Sequence, residues 1–248
     1  MLINNNFPSP NFSMRIKPIE YIIIHFTEME FESALYKLTS LEAEVSAHYL
    51  IKEDGEIFRL VDDDKIAWHA GKSFWRGESA LNQNSIGIEL DNLGKNKFSP
   101  KQINSCLNLS QLLKQKYNIP FRNFIGHSDV APARKIDPGI FFDWQFFAQN
   151  GLGIWHDVAN SRGQIMQQFG NINKDVAKLQ AGLARLGYFV EINGEFDMQT
   201  NYVVRSFQSK FYPEIIHEKG IEFYYNFDSK YSWDSVSQEM LDRLVLQS

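Results

Sequence analysis

Two histidines and an aspartate have the residue types and positions best suited to metal chemistry. His25 closes a short apolar run, and His127 and Asp137 both belong to the segment GHSDVAPARKIDPG at residues 126–139. Two neutral imidazoles and one carboxylate are the ligand set of a catalytic zinc site, which keeps a fourth position open for water. Glu89, on the polar side of a predicted strand, is a candidate general base. These residue types are compatible with metal-assisted hydrolysis.

Each of these residues also has a simpler interpretation. A histidine at a strand end is often only hydrogen-bonded, and an aspartate before Pro-Gly often only sets a turn. Asp129, two residues after His127, is an equally eligible ligand by composition. The chain contains no short metal motif such as HExxH. Residue types alone therefore leave both a metal site and a purely structural loop open.

The sequence predicts three strands that place the candidate residues at or near strand ends. Residues 21–24 form a β-branched apolar run typical of a strand buried on both faces, and His25 follows it. Ser85–Leu90 alternates in polarity, which places Glu89 on the polar side. Residues 121–125 predict another short strand that leads into His127. The edge of a sheet at strand ends is the usual place for a site in α/β folds.

Helical patterns separate these strands. Ser99 is a predicted N-cap, Pro100 suits the first helical position, and Gln102 is expected to complete a capping box. Cys106 falls on the apolar face of this helix, which predicts a buried thiol rather than a nucleophile. Alternating strands and helices predict an α/β layer structure up to about Trp144.

Composition limits the possible partners. The chain has 248 residues, 44% of them hydrophobic, and a net charge of −5 without a basic cluster, so neither nucleic acid nor anionic membrane is an expected partner. A single cysteine excludes an internal disulfide and a CxxC metal site. No apolar run is long enough to span a bilayer, and the first residues do not resemble a signal peptide.

A second domain is predicted after a polar segment. Residues 149–173 are rich in Gly, Asn, Gln and Ser, which predicts a linker between domains at 1–148 and 174–248. The second domain contains three apolar stripes at helical spacing, and Gly187 stands at a predicted helix C-cap. These stripes predict a small three-helix domain.

The first domain resembles the zinc-dependent N-acetylmuramoyl-L-alanine amidases, whose fold is shared by amidase-type phage lysozymes and peptidoglycan-recognition proteins. The matching stretches cover about residues 9–144 in the family's order: SPN and Arg15, IEYIIIHFTEM, VSAHYLIKEDGEIFRLVDDDKIAWHAG, NQNSIGIELDN and FIGHSDVAPARKIDPG. The resemblance implies an α/β fold with a central mixed β-sheet flanked by helices. It also implies one Zn²⁺ per chain, with His25, His127 and Asp137 as the ligands.

The same resemblance implies roles for other residues. Glu89 takes the position of the catalytic acid/base, and Lys135 that of the residue that steadies the oxyanion. Trp68 and His69 match a segment bordering the substrate cleft, where His69 would bind substrate or support a zinc ligand; the alternative is a histidine packed beside a core tryptophan. His48 stands where some relatives carry a functional tyrosine, but its strand position favours a buried structural role.

The second domain resembles the small three-helix peptidoglycan-binding domain attached to many wall hydrolases. The stretch DVAKLQAGLARLGYFVEINGEFDMQTNYVVRSFQ carries the resemblance. It departs from the pattern at Asp197, where glycine is usual, and residues 212–233 look like an insertion before the last helix. A helical appendage that only packs against the first domain remains the alternative.

The resemblance implies an enzyme that cuts the amide bond between the lactyl group of N-acetylmuramic acid and L-alanine, in peptidoglycan or (anhydro)muropeptides. The alternative is a non-catalytic peptidoglycan-recognition protein of the same fold; such relatives typically lack part of the ligand set, which is complete here. A hydrolase of unrelated amides fits the metal chemistry but not the second domain. That domain predicts action in the cell envelope or periplasm, and the missing export signal leaves the cytoplasm as the alternative.

Overall fold

Six strands of the first domain form one mixed β-sheet. The computed structural model describes residues 2–159 and 161–247. The strands of these residues, in chain order, are β1 (Ile3–Asn4), β2 (Phe12–Met14), β3 (Tyr21–Phe26), β4 (Tyr49–Ile51), β5 (Ile57–Arg59), β6 (Lys65–Ala67), β7 (Phe74–Trp75), β8 (Glu78–Ser79), β9 (Ser85–Leu90), β10 (Phe124–Gly126), β11 (Ile165–Gln168) and β12 (Ser232–Asp234). The order in the main sheet is β1-β5-β4-β9-β3-β10.

Helices cover this sheet and build the second domain. Those of the described residues are α1 (Phe31–Thr39), α2 (Pro100–Tyr117), α3 (His127–Val130), α4 (Trp144–Gln149), α5 (Lys174–Leu186), α6 (Met198–Phe211), α7 (Pro213–Lys219), α8 (Ile221–Tyr225) and α9 (Ser235–Val245). Helices α5, α6 and α9 are the three expected in the second domain, while α7 and α8 lie in the inserted segment. The predicted fold class is confirmed.

Parallel pairing aligns the strand ends that matter for the site. Strands β4, β9, β3 and β10 all pair in parallel, whereas β5 pairs antiparallel with β4. The three isoleucines at the centre of β3, Ile22, Ile23 and Ile24, have no exposed surface. The carboxyl ends of β9, β3 and β10 therefore meet at one edge of a well-buried sheet.

The start of α2 differs in one respect from the prediction. The Ser99 hydroxyl accepts the backbone N–H of Gln102 at 3.1 Å, as an N-cap does. The predicted capping box was wrong, because the Gln102 amide instead donates to the carbonyls of Ile51 and Asp91. The buried Gln102 side chain thereby connects the helix to the sheet. Cys106, one turn further along, is buried as predicted, and burial raises its pKa to about 12.

Another difference concerns the strand before His127. The strand is Phe124–Gly126, because Phe121–Asn123 forms a short 3₁₀ turn in which the Asn123 N–H bonds to the Pro120 carbonyl. The strand therefore ends one residue later than expected and delivers His127 directly from the sheet.

The two domains share one continuous hydrophobic core. The Trp75 ring meets Tyr188 edge to face with centroids 4.8 Å apart, and the Arg76 N–H donates to the Gly187 carbonyl at 2.9 Å. Part of the predicted linker forms β11, which pairs with β12 of the second domain. The domain limits at 1–148, 149–173 and 174–248 stay a prediction. In the part of the chain that the structure describes, no helix is long and apolar enough to cross a membrane.

Candidate metal centre and active site

The sheet register brings three of the predicted residues to one place. His25 of β3 is the register partner of Glu89 of β9, and Gly126 at the end of β10 is the partner of Ile24. Residues in register on neighbouring parallel strands project to the same face of a sheet. Since His127 follows Gly126 directly, both histidines and Glu89 gather at the carboxyl edge.

His25, His127 and Asp137 place three donor atoms within hydrogen-bond distance of one another. The two Nδ1 atoms of the histidines are 2.9 Å apart, and each is 3.0 Å from Asp137 Oδ2. All three residues are buried. Among residues 2–159 and 161–247, this is the one group of His, Cys, Asp or Glu side chains close enough to hold a metal ion.

The tautomer of His127 follows from its second nitrogen. Nε2 lies 3.2 Å from the Ala70 carbonyl oxygen, which can only accept a hydrogen bond. In the tautomer that satisfies this contact, Nε2 carries the proton and Nδ1 directs a lone pair toward Asp137.

A chain of hydrogen bonds fixes His25 in the same way. The Ser85 hydroxyl donates to the Leu81 carbonyl, so it must accept from His69 Nε2 at 3.1 Å. His69 Nδ1 is then an acceptor, and the N–H at Nε2 of His25 donates a hydrogen bond to it at 3.0 Å. The Nδ1 lone pair of His25 consequently faces His127 and Asp137, and His69 is the residue that orients it.

Charge and burial make this donor set suitable for a cation. Burial, with a smaller contribution from His127, lowers the pKa of His25 to about 4, so the ring is neutral at pH 7. Burial alone would raise the pKa of Asp137, but the contacts with the two imidazoles lower it overall. Two ligands about 2.0 Å from one tetrahedral zinc ion lie about 3.3 Å apart. Three converging acceptors at 2.9–3.0 Å fit such an ion.

Glu89 lies at the same cavity in a chemically unusual state. Burial, followed by the negative charge of Asp137, raises its pKa to about 8. Its Oε2 is buried and has no hydrogen-bond partner among the described residues. A carboxyl group whose pKa is brought close to neutrality suits proton transfer in both directions.

The cavity beside these residues has a volume of about 280 Å³. Three cationic side chains line it: Lys37, Arg134 and Lys135. Arg134 donates to the backbone carbonyls of Ala70 and Lys72. The half-buried Lys135 ammonium makes no hydrogen bond or ion pair with a described residue, so it is available to an anionic group.

Three residues singled out from the sequence lie outside this cavity. Asp129, an alternative ligand by composition, instead pairs with Lys210 at 2.6 Å and accepts a hydrogen bond from Tyr188. His48 is fully buried and its Nδ1 accepts the Gly87 N–H at 3.0 Å. The Trp68 indole donates to Ser13, and its side chain does not line the cavity. Only His69 of the Trp68–His69 pair reaches the site.

Sequence patterns did not predict that the second domain contributes to the cavity. Tyr225 and Phe227 line the cavity from the inserted segment of the second domain. The signal available was weak: an aromatic run, FYYNF, inside the segment that looked like an insertion.

Family models match both domains of the chain. Residues 15–140 match the model described as N-acetylmuramoyl-L-alanine amidase, and residues 173–214 match a putative peptidoglycan binding domain. AmiD, an N-acetylmuramoyl-L-alanine amidase of Escherichia coli K12, is 34% identical over 241 residues, which cover 91% of this chain and 83% of AmiD. The 1,6-anhydro-N-acetylmuramyl-L-alanine amidase AmpD of Enterobacter cloacae is 43% identical over 103 residues, which cover 42% of this chain and 55% of AmpD.

Solved structures show the same similarity. The complex of E. coli AmiD with anhydro-N-acetylmuramic acid-L-Ala-D-γ-Glu-L-Lys superposes with a TM-score of 0.74 at 32% identity, covering 92% of this chain and 89% of that one. AmpDH3 from Pseudomonas aeruginosa, bound to an anhydromuramic pentapeptide, gives a TM-score of 0.74 at 26% identity and covers 93% of this chain and 92% of its own.

The fold and the site define the class of the peptidoglycan amidases. The chain belongs to the N-acetylmuramoyl-L-alanine amidase family. It is a hydrolase of the amide bond that joins N-acetylmuramic acid to L-alanine, which confirms the function expected from the sequence over the non-catalytic alternative.

Proposed function

We propose that this amidase works with one Zn²⁺ held by His25, His127 and Asp137. The observation that carries the proposal is the convergence of two imidazole Nδ1 atoms and one carboxylate oxygen within 3.0 Å. When bound, zinc supplies Lewis-acid activation of water and of the scissile carbonyl. The three protein ligands leave a fourth position for these groups, as catalytic zinc sites do.

In this proposal Glu89 moves the protons. Its carboxylate takes a proton from the attacking water and returns it to the nitrogen of L-alanine as the amide bond breaks. The pKa near 8 that burial and Asp137 impose favours the second transfer, while the positive charge of a bound metal ion acts in the opposite direction and favours the first. One side chain thereby serves both half-reactions.

Lys135 is proposed to stabilise the negative charge that develops on the lactyl oxygen. We expect Lys135→Met to lower kcat by about 10²- to 10³-fold, the usual cost of one oxyanion donor. KM should change little, because the charge appears in the transition state. Steady-state kinetics on a purified muropeptide measure this, with Lys37→Met, another cavity lysine, as the comparison. A rise in KM by a similar factor, with kcat unchanged, would instead show that Lys135 only binds substrate.

We propose muropeptides with and without the 1,6-anhydro sugar as substrates. Support comes from the AmiD and AmpDH3 structures, which contain anhydromuramoyl peptides and resemble this chain over 92% and 93% of its length. The second domain is proposed to bind peptidoglycan, since residues 173–214 match a domain of that description. On the same ground we place the enzyme's action in the cell envelope.

A digest of purified muropeptides followed by mass spectrometry tests the function. Intact stem peptide should be released from the sugar, release should stop with a chelator, and added zinc should restore it. Release that persists after complete removal of metal would contradict the zinc proposal. Release of single amino acids instead of the stem peptide would contradict the assignment of the bond.

Gly87 leaves the space in which His69 orients His25. A Cβ at this position would overlap the His69 imidazole ring. We expect Gly87→Ala to displace His69, to deprive His25 Nε2 of its acceptor, and to weaken zinc binding by about 10- to 100-fold. Competition with a chromogenic chelator measures the affinity. Unchanged affinity in a folded protein would show that His69 does not support the metal site.

A further inference from the structure

One wall of the active-site cavity comes from the second domain. Tyr225 and Phe227 line the cavity together with Glu89, His127 and Asp137. They stand at the end of α8 and just after it, within the segment that departs from the usual pattern of a peptidoglycan-binding domain. The inserted segment therefore reaches the place where the amide bond is cut.

Hydrogen bonds fix this segment against the loop that carries Lys135 and Asp137. The hydroxyl of Tyr224, a residue with 1% exposure, donates to the Ile136 carbonyl at 2.7 Å. Arg205 of α6, whose guanidinium lies 4.0 Å from the centroid of the Phe227 ring, donates to the Pro132 carbonyl at 2.6 Å. Since both bonds end on backbone atoms of the catalytic loop, the position of the aromatic wall is coupled to the position of the site.

The Tyr225 hydroxyl has unused hydrogen-bonding capacity. It is buried and has no hydrogen-bond partner among the described residues. It also occupies space beside Gly94, where a Cβ would overlap it. Burying a hydroxyl without a partner is unfavourable, so a polar group of a ligand that reaches it gains a hydrogen bond at little further cost.

The distribution of charge indicates which part of the substrate meets this wall. All three cations of the cavity come from the first domain, and two of them, Lys37 and Arg134, suit the carboxylates of a stem peptide. Tyr225 and Phe227 contribute uncharged aromatic surface. The sugar of the substrate is itself neutral, because its lactyl carboxyl group is consumed in the scissile amide. An aromatic wall with one hydroxyl matches a pyranose, which offers C–H faces and hydroxyl groups.

We propose that Tyr225 and Phe227 bind the sugar of the substrate and determine specificity for it. The Phe227 ring packs against a C–H face of the pyranose, and the Tyr225 hydroxyl hydrogen-bonds a sugar hydroxyl or the acetamido group. The nature of this ligand rests on the proposed function. The second domain is thus part of the active site, in addition to any binding of the wall at its outer surface.

Binding to a zinc-loaded Glu89→Gln background tests the proposal without turnover. Two ligands are compared by calorimetry: N-acetylmuramoyl-L-Ala-γ-D-Glu and D-lactoyl-L-Ala-γ-D-Glu, which lacks the sugar. The advantage of the first ligand, expressed as the ratio of the two Kd values, should fall about tenfold in Phe227→Ala. It should fall about 3- to 10-fold in Tyr225→Phe. The Kd of the sugar-free ligand should stay the same.

Two matched variants control for loosening of the domain. Tyr231 also has a buried hydroxyl without a partner among the described residues, but it lies outside the cavity, and Phe223 packs against it with centroids 4.8 Å apart. Tyr231→Phe and Phe223→Ala should therefore keep the ratio of Kd values.

Three results would overturn the inference: an unchanged ratio in both wall variants, an equal loss for both ligands, or no binding of either ligand to the background protein. Failure of the proposed function looks different. A protein that binds the sugar through this wall, yet releases no stem peptide in its native form, would contradict the function and support the inference. Normal release with an unchanged ratio would contradict only the inference.

Discussion

Replacement of Glu89 by glutamine is expected to lower kcat for amide hydrolysis by about 10²- to 10⁴-fold while zinc remains bound. The carboxylate lines the same cavity as His127 and Asp137, and its buried Oε2 has no hydrogen-bond partner among the described residues. Glutamine keeps its volume but cannot take up a proton. The measurement is kcat on a purified muropeptide, combined with zinc content by elemental mass spectrometry.

Glu28→Gln is the matched comparison for this prediction, because Glu28 is a second carboxylate lining the same cavity but is exposed to solvent. We expect it to change kcat far less than Glu89→Gln does. Full activity in Glu89→Gln would mean that another group moves the protons. Loss of zinc together with activity would mean that Glu89 is a ligand rather than the base.

Replacement of His127 by alanine is expected to remove zinc and activity together. The substitution deletes one of three donor atoms and leaves His25 and Asp137 without the geometry of a closed three-ligand set. It also removes the hydrogen bond from Nε2 to the Ala70 carbonyl. Activity should fall to the background rate, and zinc content should fall from one per chain toward zero after dialysis.

His217→Ala controls for the loss of a histidine, because His217 is exposed and lies on α7, away from the ligand cluster. It should keep both zinc and activity. Circular dichroism must show that His127→Ala is folded for the result to count, and Asp137→Ala provides an independent second test. A folded His127→Ala protein with full zinc content would show that the metal is held elsewhere.

The predictability of the site differs from residue to residue for physical reasons. Asp129 and Asp137 were equivalent by composition, yet they have opposite roles. Asp129 sits in the first turn of α3, where its carboxylate accepts the Gly126 N–H, and Lys210 of the second domain then neutralises it. Asp137 returns to the start of the same helix because its carbonyl accepts the Ser128 N–H at 2.9 Å. Neither outcome follows from the nine residues between His127 and Asp137.

Local patterns were sufficient for the strands and for the residue types of the site. The apolar run before His25 and the alternation around Glu89 are properties of a few neighbouring residues, and they predicted β3 and β9 correctly. Family resemblance then supplied the amidase class, which similarity along 91% of the chain confirms. The wrong prediction of a capping box at Gln102 shows the limit, since hydrogen bonds from its amide to the distant Ile51 and Asp91 carbonyls fix the side chain instead.

Contacts between distant segments determine the features of the site that local sequence patterns did not predict. The proton on His25 Nε2 is set by Ser85 through His69, and these three residues come from separate elements. Tyr225 reaches the cavity across 88 residues from Asp137, through an insertion that local patterns could only mark as irregular. Residue order along the chain thus specified which chemical groups are available and which strands carry them. Long-range packing, which no short window of sequence encodes, selected the carboxylate that joins the imidazoles and the aromatic wall that faces them.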